Sequence, residues 1–273
     1  MILIAALLYV ALSFLLYYLI DLRNFLGIRD WLFSVDRVYF YFTYTPFFFQ
    51  HYGRNSGFAE LVQWSFLGAS MLLAAWYAGR VWVTHPKVAR FYLWMSAAFV
   101  LMLLEDAGDV RHTLMSYVQL AAGEPDQGLF GTAFEGAYFA VLAGVPLYAL
   151  WRYWETVKEY GKVFWYIILG FVAHAVAASL SFVGTAFQML LERDVYTILG
   201  EWLVSFSIKI GDDAVPLLWE AWNAKSWLYQ VGFYLMDSLI EENIELIGNA
   251  AFLASLVAFG ILLKRGALPK KEK

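Results

Sequence analysis

Cysteine is absent from the 273 residues, histidine occurs only four times, and just 15% of the residues are charged. Without thiols there is no disulfide, no thiolate metal site, no iron–sulfur cluster and no cysteine nucleophile. His51, His85, His112 and His174 are too few for a histidine-only metal cage. A metal here would lean on carboxylates, which suits hard or borderline cations. An average soluble domain is about a quarter charged. The shortage here, with a net charge of −4, excludes a basic phosphate-tracking surface and so a nucleic-acid partner. Gly-rich phosphate loops, Gly-x-Ser-x-Gly, His-Glu-x-x-His and EF-hand patterns are also missing.

Apolar residues fill the place of what is missing. They make up 62% of the chain, and the mean hydropathy is +0.59. A soluble domain of this size cannot hide so much apolar surface, which rules out an ordinary cytosolic enzyme or a disordered chain. The composition is that of an all-α, polytopic membrane protein with the lipid bilayer as its first partner. The 12 Trp and 18 Tyr fit the aromatic belts at the two membrane interfaces.

Runs of about 20 apolar residues cross a bilayer as helices, because lipid offers the backbone no hydrogen bonds. Such runs lie at 2–20, 58–79, 91–104, 132–151, 163–183 and 246–263. The first has no basic n-region and no small-residue cleavage site, so it reads as an uncleaved span. Six spans follow, or eight if 185–209 and 226–245, which are apolar on one face, also cross. No Pro/Gly-rich boundary divides the chain, and 1–273 reads as one domain.

Charge sorts along this six-span pattern. With both termini cytoplasmic, eleven of the 19 basic residues fall on the inner side: Arg80, Lys87, Arg90, Arg152, Lys158, Lys162, Lys264, Arg265, Lys270, Lys271 and Lys273. Only Glu155, Glu159 and Glu272 join them there. This obeys the positive-inside rule for a multi-pass cell-membrane protein and leaves a strongly acidic extracytoplasmic half. That half comprises 21–57, 105–131 and 184–245, whose aromatic and amphipathic stretches predict cap helices on the membrane surface. A helix from Trp227 to Leu263 would be about 55 Å long, more than a bilayer, and Gly248 is the expected break.

Two carboxylate clusters adjoin apolar runs: Glu105-Asp106-Ala107-Gly108-Asp109-Val110-Arg111-His112 and Glu241-Glu242-Asn243-Ile244-Glu245. On one continuous helix Glu105, Asp109 and His112 fall within about 60°, and Asp237, Glu241 and Glu245 form a second stripe. Like charges at i, i+4 repel, so each stripe needs a bound cation, an arginine, protonation or water. Asp109-x-x-His112 has the acid-x-x-His spacing that helical bundles use to bring two ligands to one ion. The expected site therefore lies between the third and last spans and opens to the extracytoplasmic side. Its ligands would be Glu105, Asp109, His112, Glu241 and Glu245, with Glu242, Glu135, His174 and Asp237 behind them. The ion would be divalent, Fe, Mn, Zn or Ca.

Ion pairing without function is the competing account of these clusters, with Arg111 paired to Asp109 or to a facing glutamate. Three functional readings stay open. A metalloenzyme would activate water or oxygen against a lipid or quinone-like substrate. A cation or proton transporter would pass its cargo along the carboxylates. A non-catalytic subunit would bind other membrane subunits, or further copies of itself, through its aromatic outer segments. The two clusters share a Glu-acid-x-x-acid pattern 136 residues apart. That spacing suggests an inverted repeat of 1–136 and 137–273.

Overall fold

The computed structural model describes residues 1–23, 25–28, 58–123, 129–191, 198–200, 202–203 and 235–268, with only the backbone of Asp237 among them. Of these residues 93% are helical and none is in a strand. The long helices are α1 (Ile2–Leu16), α2 (Phe58–Val81), α3 (Pro86–Gly108), α4 (Val110–Ala122), α5 (Leu129–Val157), α6 (Lys162–Leu191) and α7 (Glu242–Lys264). Among the described residues six segments are long and apolar enough to cross a membrane: Ile2–Ile20, Glu60–Val81, Pro86–Gly108, Phe130–Tyr160, Lys162–Leu180 and Leu239–Lys264. They match the six expected spans and fit an integral multi-pass membrane protein. Most of the cap segments expected at 21–57 and 184–245 lie outside the described residues.

The chain groups into two compact units. One holds 1–3, 62–178 and 246–273, and the other holds 4–61 and 179–245. In the second unit the Ser13 hydroxyl donates to the Tyr9 carbonyl (3.0 Å), which satisfies it within α1. A π-helical turn over Leu235–Glu241 leads into α7, and the buried Asn243 amide donates back to the Leu239 carbonyl (2.5 Å). The helix does not break at Gly248. It runs unbroken to Lys264, and the irregular turn lies earlier, at Leu235–Glu241.

Helices α3, α4 and α5 and the main parts of α2, α6 and α7 build the first unit. Pro86, whose missing N–H costs nothing in a first helical turn, starts α3 directly after the buried His85. The core is aromatic. The Phe259 ring of α7 meets Tyr77 of α2 at 5.3 Å, Tyr92 of α3 at 4.6 Å and Tyr160 at 5.6 Å. About two turns earlier Phe252 meets Phe99 of α3 and Phe171 of α6 edge-on and stacks on His174 at 5.5 Å. Two glycines admit these groups. A Cβ at Gly170 would come within 2.5 Å of the Phe252 ring, and one at Gly248 within 2.8 Å of the His174 ring. Gly248 is therefore a packing residue.

Gly170→Ala forces Phe252 out of its slot, and we expect a loss of about 1–3 kcal/mol. Gly144→Ala in α5 meets nothing within 4 Å and should be close to neutral. Thermal unfolding of the two variants in detergent compares them.

Candidate charged site

The helical path through the first carboxylate cluster is interrupted. Asp109 takes a left-handed conformation (φ 48°, ψ 40°) and ends α3 as it begins α4. Aspartate is one of the few side chains that adopts this region readily. The expected single stripe of Glu105, Asp109 and His112 is thereby divided. Asp109 and His112 pair with each other across the break, Nδ1 against Oδ1, and are 68% and 53% exposed. Glu105 turns inward instead. Its Oε2 accepts the otherwise free backbone N–H of Arg111 (3.1 Å), and its Oε1 accepts from Arg111 Nε (2.9 Å). Asp109 makes no side-chain cap, so Glu105 caps α4 from one turn back in the sequence. A carboxylate at a helix N-terminus also meets the favourable end of the helix dipole.

Helix α5 packs against both α3 and α4 and supplies the other half of the site. Arg111 Nη1 donates to Glu135 Oε1, and the guanidinium lies over the Phe139 ring, 4.9 Å from its centre. Glu135 and Phe139 are one turn apart, so a single face of α5 presents both. The Tyr138 hydroxyl lies on the Glu105 side of the cluster, and Asp106 lies near the Trp64 indole of α2. Burial alone would ease the proton off Arg111. The carboxylates of Glu135 and Glu105 outweigh it and hold the guanidinium above its ordinary pKa. By linkage its contribution is complete at any pH below the free guanidinium value and is lost only above its raised one.

One oxygen remains over. Glu105 has both oxygens engaged, but Glu135, 1% exposed, has no partner for Oε2 among the described residues. The Gln119 side-chain nitrogen, also buried, has none either. It lies over Gly131, where a Cβ would sit 2.5 Å from Nε2, and Gly131 is one turn before Glu135. A buried acceptor and a buried donor are thus both unsatisfied in the α4–α5 pair.

The remaining expected ligands have contacts of their own. His174 Nε2 bonds Asn249 Oδ1 (2.9 Å) between α6 and α7. Glu241, Glu242 and Glu245 each have an interaction partner; Glu241, Glu242 and Glu245 belong to the other unit. Among the described residues no three histidine or acidic side chains group as metal ligands. Arg111 was weighed from sequence only as a partner for Asp109 or a facing glutamate. Gln119, Tyr138, Phe139 and Asn249 were missed. Spacing held part of the signal, since Gln119 follows Arg111 by two turns and Asn249 follows Glu245 by one.

Replacing Arg111 strands the buried Glu135 and the half-buried Glu105. Arg111→Gln should cost about 3–5 kcal/mol in unfolding free energy. With Arg111 intact, thermal stability should show no arginine-linked loss between about pH 7 and pH 10. Comparison with family models, with curated proteins and with solved structures gives no match, so the chemistry of this site rests on its own geometry.

Proposed function

We propose that the chain is a multi-pass membrane protein that binds a small hard cation at Glu135, on its acidic, extracytoplasmic side. The observation that carries this reading is the buried, unpartnered Glu135 Oε2. Glu105, Arg111 and Glu135 together hold two carboxylates and one guanidinium, a net −1 that Asp106 deepens. A monovalent cation such as sodium balances the triad, and carboxylate oxygen is the ligand it prefers. The Gln119 amide offers a second ligand, because turning it over puts Oε1 where Nε2 stands. The proposed ligands are then Glu135 and Gln119, while Asp109 and His112 remain a surface pair and Glu105 holds Arg111.

Of the wider readings, cation binding for transport fits this arrangement better than metalloenzyme chemistry, which needs several ligands converging on one ion. One observation favours the third reading, a subunit without a site of its own: Arg111 already bonds both glutamates and acts as a brace.

Thermal unfolding in sodium chloride and in choline chloride at equal ionic strength separates these readings. Sodium should raise the melting temperature of the wild type over choline, and the difference should vanish in Glu135→Gln, which keeps Oε1 for Arg111. Equal curves for the wild type in the two salts would leave the triad a brace and move the reading to a partner-binding subunit. Mass spectrometry of metals on chelator-free protein should find no stoichiometric iron, manganese or zinc. A full equivalent of one of them would restore the metal-centre reading.

A further inference from the structure

Helix α4 is built inside out for water. Its inner face, against α5, carries Arg111 and Gln119 beside Met115 and Val118. Its outer face carries Leu114, Tyr117 and Leu120, which are 41%, 66% and 79% exposed, with one exposed polar residue, Thr113, among them. A surface helix in water turns its polar side outward and its apolar side to the core. The opposite order is what lipid selects. Ser116, beside that outer face, has its hydroxyl satisfied internally by the His112 carbonyl (2.8 Å), as a serine near hydrocarbon requires.

The depth of the neighbouring helices agrees. On α5, Arg152 marks the basic end and Glu135 lies 17 residues away, about 26 Å along the axis. On α3, Glu105 lies 15 residues beyond Arg90, about 23 Å. The hydrocarbon layer is about 30 Å thick, so both carboxylates fall within it. Helix α4 starts at that level and packs on the first turns of α5. The apolar exposure also continues on both sides, through Leu104 at the end of α3 and Phe130 at the start of α5. The exposed Asp109–His112 pair sits at the opposite edge, with His112 about 140° round the helix from Tyr117.

We infer that α4 is a membrane-immersed half-helix. Its Leu114–Tyr117–Leu120 face contacts the acyl chains at the outer edge of the bilayer, while the Asp109–His112 edge meets the headgroups. The lipid then forms the outer wall of the Glu105–Arg111–Glu135 triad. This inference stands whether or not a cation binds at Glu135.

The absence of cysteine makes the test direct. Leu114→Cys, Tyr117→Cys, Leu120→Cys and His112→Cys are each labelled with a nitroxide in the full-length protein in liposomes. Collision with oxygen is then compared with collision with a water-soluble nickel chelate. The three apolar-face sites should favour oxygen several-fold, and His112→Cys should favour nickel relative to them. Nickel access at all three would place the face in water. Low access to both reagents would mean that a protein partner covers it. Either result overturns the inference. Ala121→Cys, on the same face, replaces one small side chain by another and gives the reading if the bulkier positions disturb folding.

Discussion

The Arg111 guanidinium between Glu105 and Glu135 is the interaction on which this part of the molecule depends. Two carboxylates this close together, one of them almost fully buried, are costly to keep charged. A single arginine reduces that cost for both, because its planar fork presents several donors at fixed angles. It also ties three helices together: Glu105 from α3, Arg111 from α4 and Glu135 from α5. The left-handed turn at Asp109 makes this possible. It frees the Arg111 backbone N–H for Glu105 and brings backbone and side chain of one residue to one carboxylate.

Deeper in the same unit the solvent imposes the same rule with weaker groups. His174 Nε2 bonds Asn249 Oδ1 across α6 and α7, and the imidazole is stacked flat on Phe252. Close packing follows from two residues without side chains, Gly170 and Gly248, rather than from a hydrophobic drive that lipid does not provide. The aromatic contacts of Phe252 and Phe259 then link α7 to α2, α3 and α6. The charged triad and the aromatic core share two scaffolding helices, since α3 and α5 contribute to both.

The spans were legible because hydrophobic length is a one-dimensional property, and all six were read from the runs alone. The charge cluster was legible as a cluster, but its partners were not. The reading of Glu105, Asp109 and His112 as one face assumed ideal helix phase, and a single left-handed residue removes that phase. Asp109 looks like any helical aspartate until the turn is seen. Gly248 misled in the other direction: a glycine within a long helix suggests a break, yet here it admits a histidine ring. Glu135 was seen as a candidate for its position at a span end. That it is the most buried member of the cluster depends on the packing of α5 against α3 and α4, which no local pattern encodes.

The unsatisfied oxygen of Glu135 and the proposed lipid contact of α4 bear on each other. Glu135 is 1% exposed, so its spare oxygen is closed to bulk solvent whatever lies against α4. Under the proposed immersion, acyl chains against Leu114, Tyr117 and Leu120 also close any approach from the α4 side. Access to the triad is then left to the Asp109–His112 edge, where α3 gives way to α4. Water or a cation reaching Glu135 from that direction would pass an exposed aspartate and a histidine before meeting the buried carboxylate. Residues first read as ligands would in that case guard the approach to the site. The negative field of the acidic end would favour cations along the way.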